Sequence, residues 1–142
     1  MAVRFAGYAA VFDAPDRGGD IVRAGAFSRV DAAGVPLLFE HGGAPVGRVE
    51  MLAEDTRGLR VIGQVADPRI AAWVADGTLR GLSFGYRACS VRRGVWRELL
   101  SVALFEVSLV AVPMQTLARV HAVAGEDAAG GPGIGDMCAD GL

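Results

Sequence analysis

The clearest helix in this sequence is one short stretch, Asp67–Asp76, and that scarcity restricts the fold more than any other feature. Asp67 can cap the first turn, Pro68 fits the first helical position, and Gly77 ends the run. Ile70, Trp73 and Val74 fall at i, i+3 and i+4, a stripe to be buried. Elsewhere short strands dominate. Val3–Phe12 is apolar and ends at the turn signal Asp13-Ala14-Pro15-Asp16-Arg17-Gly18-Gly19. A short strand at Ile21–Arg23 and a helical turn within Phe27–Ala33, closing at Gly34, follow. Pro36–His41 reads as a buried strand turned by Gly42-Gly43-Ala44-Pro45. Val46–Glu54 and Gly58–Ala66 form a hairpin, the second arm placing Leu59, Val61 and Gly63 opposite Arg60, Ile62 and Gln64.

Strands return at Leu79–Arg92, Val95–Phe105 and Glu106–Val112, where Val107, Leu109 and Ala111 alternate with Glu106, Ser108 and Val110. Pro113 closes that run, a turn spans Gln115–Ala118, and a last strand lies near Arg119–Val123. From Gly125 the composition shifts to Gly, Ala and Asp, so a domain over 1–124 followed by a flexible tail over 125–142 is expected. The residues alone predict a small, mostly β (α+β) barrel or sandwich with one or two helices.

Composition excludes several chemistries. All 14 basic residues are arginine, so no lysine nucleophile, lysine base or phosphate-loop lysine exists. Net charge is −2, a poor match for a chain that must neutralise many phosphates, and no nucleic-acid partner is expected. Two histidines and two cysteines cannot build a zinc site of clustered Cys and His, and neither metal nor cofactor is expected. Cys89 and Cys138 are read as reduced thiols in a cytoplasmic compartment. No targeting signal is recognised, and no segment reaches the roughly 18 apolar residues of a membrane span.

Three residues stand out chemically. Gly81-Leu82-Ser83-Phe84-Gly85 matches the G-x-S-x-G pattern of a nucleophile elbow. An α/β-hydrolase elbow, however, needs a strand-to-helix turn, and here Tyr86–Val91 continues as strand. Ser83 is then a nucleophile in another setting or a strand serine at a close backbone approach. His41 ends an apolar strand before two glycines; it is a base held at a strand terminus or a surface histidine at a turn. His121, between Val120 and Ala122, suits a structural place. Glu106 stands in an apolar run and needs a partner if buried, either an arginine or a histidine that it orients. Glu98 and Glu40 are rivals in more polar or more terminal surroundings.

Taken in order, these segments resemble the prohead serine proteases of tailed phages, in the HK97 branch. The resemblance covers most of residues 3–123. It is carried by Gly7–Phe12, Asp20–Val22, Gly25–Phe27, Leu37–His41, Pro45–Val49, Asp76–Tyr86 and Phe105–Pro113. It implies a small closed β-barrel with peripheral helices, related to the herpesvirus assembly proteases and expected as a homodimer. It also implies a job: cutting the scaffold region from the major capsid protein inside the immature capsid, in the host bacterial cytoplasm, together with self-cleavage. Carried over by position, Ser83 becomes the nucleophile and His41 the general base. Glu106 is the expected third member, with Glu98 in reserve, and amides after Pro113 aided by Arg119 are the expected oxyanion donors. Gly42 departs from the pattern where an acidic residue is expected after the histidine. With so short a tail, no fused scaffold extension is expected, and delivery into the capsid is expected to use another signal. Gene transfer agents carry the same module, and a prophage or such an agent in a GC-rich bacterium suits the Ala, Gly and Arg content.

Two other functions compete. One is a non-catalytic β-barrel for capsid assembly or scaffold interaction, in which Ser83 is structural. The other is an esterase-like hydrolase using Ser83, His121 and Glu98 or Glu106.

Overall fold

The computed structural model describes residues 2–28 and 30–125. The tail expected beyond Gly125, with Cys138, lies outside the described residues. Within them a mostly β fold forms: β1 (Val3–Val11), β2 (Asp20–Val22), a 3-10 turn (Ala32–Gly34), β3 (Pro36–Phe39), β4 (Gly42–Glu54) and β5 (Gly58–Val65) lead to α1 (Pro68–Ala75). Then come β6 (Gly81–Arg93), β7 (Arg97–Val110) and β8 (Val120–Gly125). The strands make one eight-stranded sheet in the order β2-β7-β3-β4-β5-β1-β8, with β6 added to β7. The sheet curls into a half-barrel. An antiparallel bridge between Gly81 and Arg119, with Leu82 N–H donating to Ala118 and Val120 N–H to Arg80, ties the start of β6 to the approach to β8.

The interior of the curl is filled by alternating strand residues. Phe5, Leu37, Leu59, Val61, Leu82, Leu99, Val107 and Leu109 are all fully or almost fully buried. Each such apolar side chain contributes roughly 1.5–3 kcal/mol on removal from water. The helix closes one side as its sequence signals require. Asp67 accepts from the amides of Arg69 and Ile70, and Ile70, Ala71 and Val74 are buried. Trp73, expected in the same stripe, is half-buried at the rim, tilted against Phe39 with the Arg69 guanidinium over its ring.

Two boundaries differ from the sequence expectation, and both matter for the site. The β3–β4 turn is made by Glu40 and His41, not by Gly42–Pro45. Phe39 pairs directly with Gly42, and the glycine-rich stretch is already strand β4. The two strands expected at Val95–Phe105 and Glu106–Val112 are one continuous β7, interrupted by a bulge. Gly85 faces Glu106 and Tyr86 faces Leu104, so Phe105 has no partner on β6 and points outward, more than half exposed. The extra residue resets the alternation, which is why the apolar pattern looks broken at that point.

Candidate active site

β7 organises the site because both of its neighbours there carry chemistry. Across an antiparallel ladder, residues directly opposite project to the same face. Ser83 on β6 is opposite Ser108, and Gly85 is opposite Glu106. Ser83, Ser108 and Glu106 therefore share a face, while Leu82, Phe84, Val107 and Leu109 take the other, facing the core. On the opposite edge of β7, β3 runs parallel with Leu38 beside Ser108, which delivers the β3–β4 turn to the same place.

The glycines that bracket Ser83 have a physical purpose unrelated to a nucleophile elbow. A Cβ at Gly85 would lie 2.9 Å from Glu106 Cδ and 3.0 Å from its Oε1, so the missing side chain is the space the carboxylate occupies. A Cβ at Gly81 would meet the Val110 carbonyl at 2.5 Å. β6 continues through Ser83 as strand, so the rejected strand-to-helix elbow is absent here.

The turn that carries His41 is strained. Glu40 has φ 52° and His41 has φ 61°, positive at both central residues of a two-residue hairpin, as a type I′ turn demands. Such turns favour Asn and Gly, and non-glycine residues there cost of order 1–3 kcal/mol. Three hydrogen bonds to β7 and its exit hold the turn. Glu40 N–H donates to the Leu109 carbonyl at 3.0 Å, His41 N–H donates to Ser108 Oγ at 3.1 Å, and Ala111 N–H donates to the Glu40 carboxylate at 3.3 Å.

So held, the imidazole meets the acid. His41 Nδ1 lies 2.6 Å from Glu106 Oε1 and 3.2 Å from Oε2. An ionised carboxylate only accepts, so Nδ1 carries the proton and Nε2 is the basic nitrogen. Glu106 is buried, and Ser108 Oγ donates to it at 3.0 Å from Oε2 and 3.2 Å from Oε1. Among the described residues neither His41 Nε2 nor Ser83 Oγ has a hydrogen-bond partner, and both residues border one cleft.

The cleft's other walls come from Phe84, Tyr86, Asp16, Asp20, Met114 and Gln115. Asp20 is fixed: Arg97 donates to both of its oxygens at 2.8 and 2.7 Å, and the Tyr86 hydroxyl donates at 3.0 Å. Arg97, then Tyr86, hold its carboxyl below the ordinary range against the opposing effect of burial. Burial and the adjacent Asp20 push the Tyr86 hydroxyl up to about 12. Gln115 is pinned to the backbone of Val11 and Ala14.

The rival residues lie elsewhere in their contacts. Glu98 is held by Arg92, through two bonds at 2.7 and 2.9 Å, and by Arg23 at 2.7 Å. Those guanidinium groups pull its carboxyl down to about 2, and it makes no contact with either histidine. His121 stacks edge-on against Tyr8, and its ring is held below its ordinary pKa by partial burial and by Arg57, Arg119 and Arg80. It borders a separate surface hollow with Arg80 and Asp76. Arg119 donates its Nε to the Thr116 carbonyl, bracing the loop after Pro113. Ser108 is the site residue that the sequence reading did not single out. Its signal was its place two residues beyond Glu106, hence on the same strand face.

Comparison with known proteins accords with this architecture. The profile of the Caudovirus prohead serine protease family matches residues 1–130. The prohead protease of Enterobacteria phage HK97 is 38% identical over 92 residues, 58% of this chain and 41% of that protein. The chain thus matches less than half of that relative's length. Among solved structures, the varicella-zoster virus protease aligns with TM-score 0.57 at 18% identity, covering 85% of this chain and 64% of that one. The KSHV protease in complex with a hexapeptide phosphonate inhibitor aligns with TM-score 0.55 at 16% identity, covering 89% and 66%. At those identities the likeness shows a shared fold.

Proposed function

We propose that this chain, which belongs to the Caudovirus prohead serine protease family, is an endopeptidase with Ser83 as nucleophile, His41 as general base and Glu106 as the acid that orients it. Its substrate is the major capsid protein, from which it removes the scaffold segment inside the immature capsid, and it cuts itself as well. The observation that carries the reading is the 2.6 Å contact between His41 Nδ1 and a buried Glu106, which leaves Nε2 without a partner among the described residues while His41 and Ser83 border one cleft.

In the proposed reaction His41 Nε2 removes the Ser83 hydroxyl proton as Oγ attacks the scissile carbonyl. The imidazolium then protonates the leaving amine, and the acyl-enzyme is hydrolysed by a water that His41 deprotonates in turn. Glu106 keeps the proton on Nδ1 and stabilises the positive ring. Charge on the tetrahedral oxygen requires donors worth roughly 3 kcal/mol each. The loop after Pro113 borders the cleft through Met114, Gln115 and Ala118, and its backbone amides are proposed for that task. Closing of the Ser83–His41 hydrogen bond accompanies substrate binding, as catalytic contacts commonly tighten only in the loaded complex. A homodimer is the proposed assembly.

Co-expression with the cognate capsid protein tests this reading. Ser83→Ala should leave the capsid protein at full mass while the parent chain yields the shortened product. A shortened product from the Ser83→Ala protein, at the parent's rate, overturns the assignment.

A further inference from the structure

The geometry points to Ser108 as a positioning residue that sets both members of the His41–Glu106 pair with one hydroxyl. The inference rests on the reading of Ser83, His41 and Glu106 given above. Ser108 is fully buried, so it cannot reach a substrate and is no second nucleophile. Its Oγ nevertheless uses both of its capacities on the site: it accepts the His41 amide at 3.1 Å and donates to the Glu106 carboxylate at 3.0 Å. The first bond pins the backbone of a residue at φ 61°, where the chain would otherwise relax. The second fixes the rotation of the carboxylate about its long side chain.

These two contacts sit at the ends of the 2.6 Å Glu106–His41 bond. A glutamate side chain has three rotatable bonds, and without a fixed point the carboxylate would sweep the space that Gly85 leaves open. Ser108 lies directly opposite Ser83 on β6 and beside Leu38 on β3. The same residue therefore stands at the register position that aligns the strand of the nucleophile with the turn of the base.

Ser108→Ala removes both bonds without adding volume, and Ser108→Cys keeps the size while offering a weaker donor. Purified parent and variants would be compared for capsid-protein processing under saturating and limiting substrate, with Tm as a control and proton NMR of the His41 Nδ1 resonance. Hydrogen bonds to charged groups predict a fall in kcat of about 10- to 100-fold for Ser108→Ala, with KM unchanged and Ser108→Cys between it and the parent. The downfield Nδ1 proton should move upfield and exchange faster in the same order. Processing within twofold of the parent, or a loss of rate with an unmoved Nδ1 resonance, overturns the inference. Glu106→Gln in parallel separates it from the underlying reading: if that variant is fully active, the triad assignment has failed; if only Ser108→Ala is, the positioning role has.

Discussion

Replacing Gly85 by alanine should silence the site while sparing the fold, because the three atoms nearest a new methyl all belong to the movable side chain of Glu106. The built Cβ lies 2.9 Å from Glu106 Cδ and 3.0 Å from Cγ and Oε1. Ordinary contact begins near 3.4 Å, so the carboxylate must retreat by at least the difference, 0.5 Å. It has somewhere to go, since a glutamate tip swings by rotation with no backbone movement. It cannot go without disturbing the 2.6 Å bond to His41 and the 3.0 Å bond from Ser108, which hold its two oxygens. The stability terms nearly cancel: alanine in a strand gains roughly 0.5–1 kcal/mol over glycine, against a similar loss of buried hydrogen bonding. The catalytic term does not cancel. Misplacement on the scale of 1 Å costs about 10²-fold, and complete loss of the orienting acid costs about 10⁴-fold in the serine-protease template. We therefore expect Gly85→Ala to process purified capsid protein at least about 10²-fold more slowly, measured by intact mass over time, with Tm within a few degrees of the parent. A variant that processes within threefold of the parent refutes the argument that Gly85 exists to seat Glu106. So does one that fails to fold, since the obstruction would then not be a movable carboxylate.

Two further outcomes follow from named contacts. Glu40→Asn puts a residue tolerant of positive φ into a turn position at φ 52° and gives up only an exposed 3.3 Å bond to Ala111. Chemical denaturation should show a gain of about 0.5–1 kcal/mol; a loss would mean the carboxylate matters more to the turn than the strain does. Glu98 has its carboxyl drawn from an ordinary 4.5 down to about 2 by Arg92 and Arg23. A depressed carboxyl contributes stability that is present above 4.5 and lost as pH falls towards 2. Glu98→Gln should flatten the acid limb of the stability curve across that window and leave processing at neutral pH unchanged. Collapse of processing in Glu98→Gln would return Glu98 to the catalytic set.

What could be read from the sequence alone divides according to whether a residue's neighbours in the chain or its neighbours across the sheet decide its behaviour. The helix was legible because every signal in Asp67–Gly77 is local: cap, proline, apolar stripe and stop act within a few residues. Glu106 was legible as an anomaly because an acid amid Leu104–Val110 needs a partner wherever it folds. The turn was not. Gly42 and Gly43 are the better local turn formers, and Gly43 does adopt a positive φ of 75°, yet the turn itself falls on Glu40 and His41 at φ 52° and 61°. The reason lies 65 or more residues away: β7 and its exit meet that segment with the Leu109 carbonyl, Ser108 Oγ and the Ala111 amide. Tertiary contacts override turn preference here by holding the histidine in a conformation it would not choose, which is where strain is expected to collect in a working site. The glycine pattern around Ser83 carries the same lesson from the other side. Its resemblance to an elbow drew attention to the right serine, but the second glycine answers to Glu106 on the neighbouring strand, not to a turn in its own. The spacing Gly-x-Ser-x-Gly on β6 and the spacing Glu-x-Ser on β7 are two halves of one antiparallel register. Each half is ambiguous alone. Laid opposite each other they specify a hydroxyl, a carboxylate and the space between them.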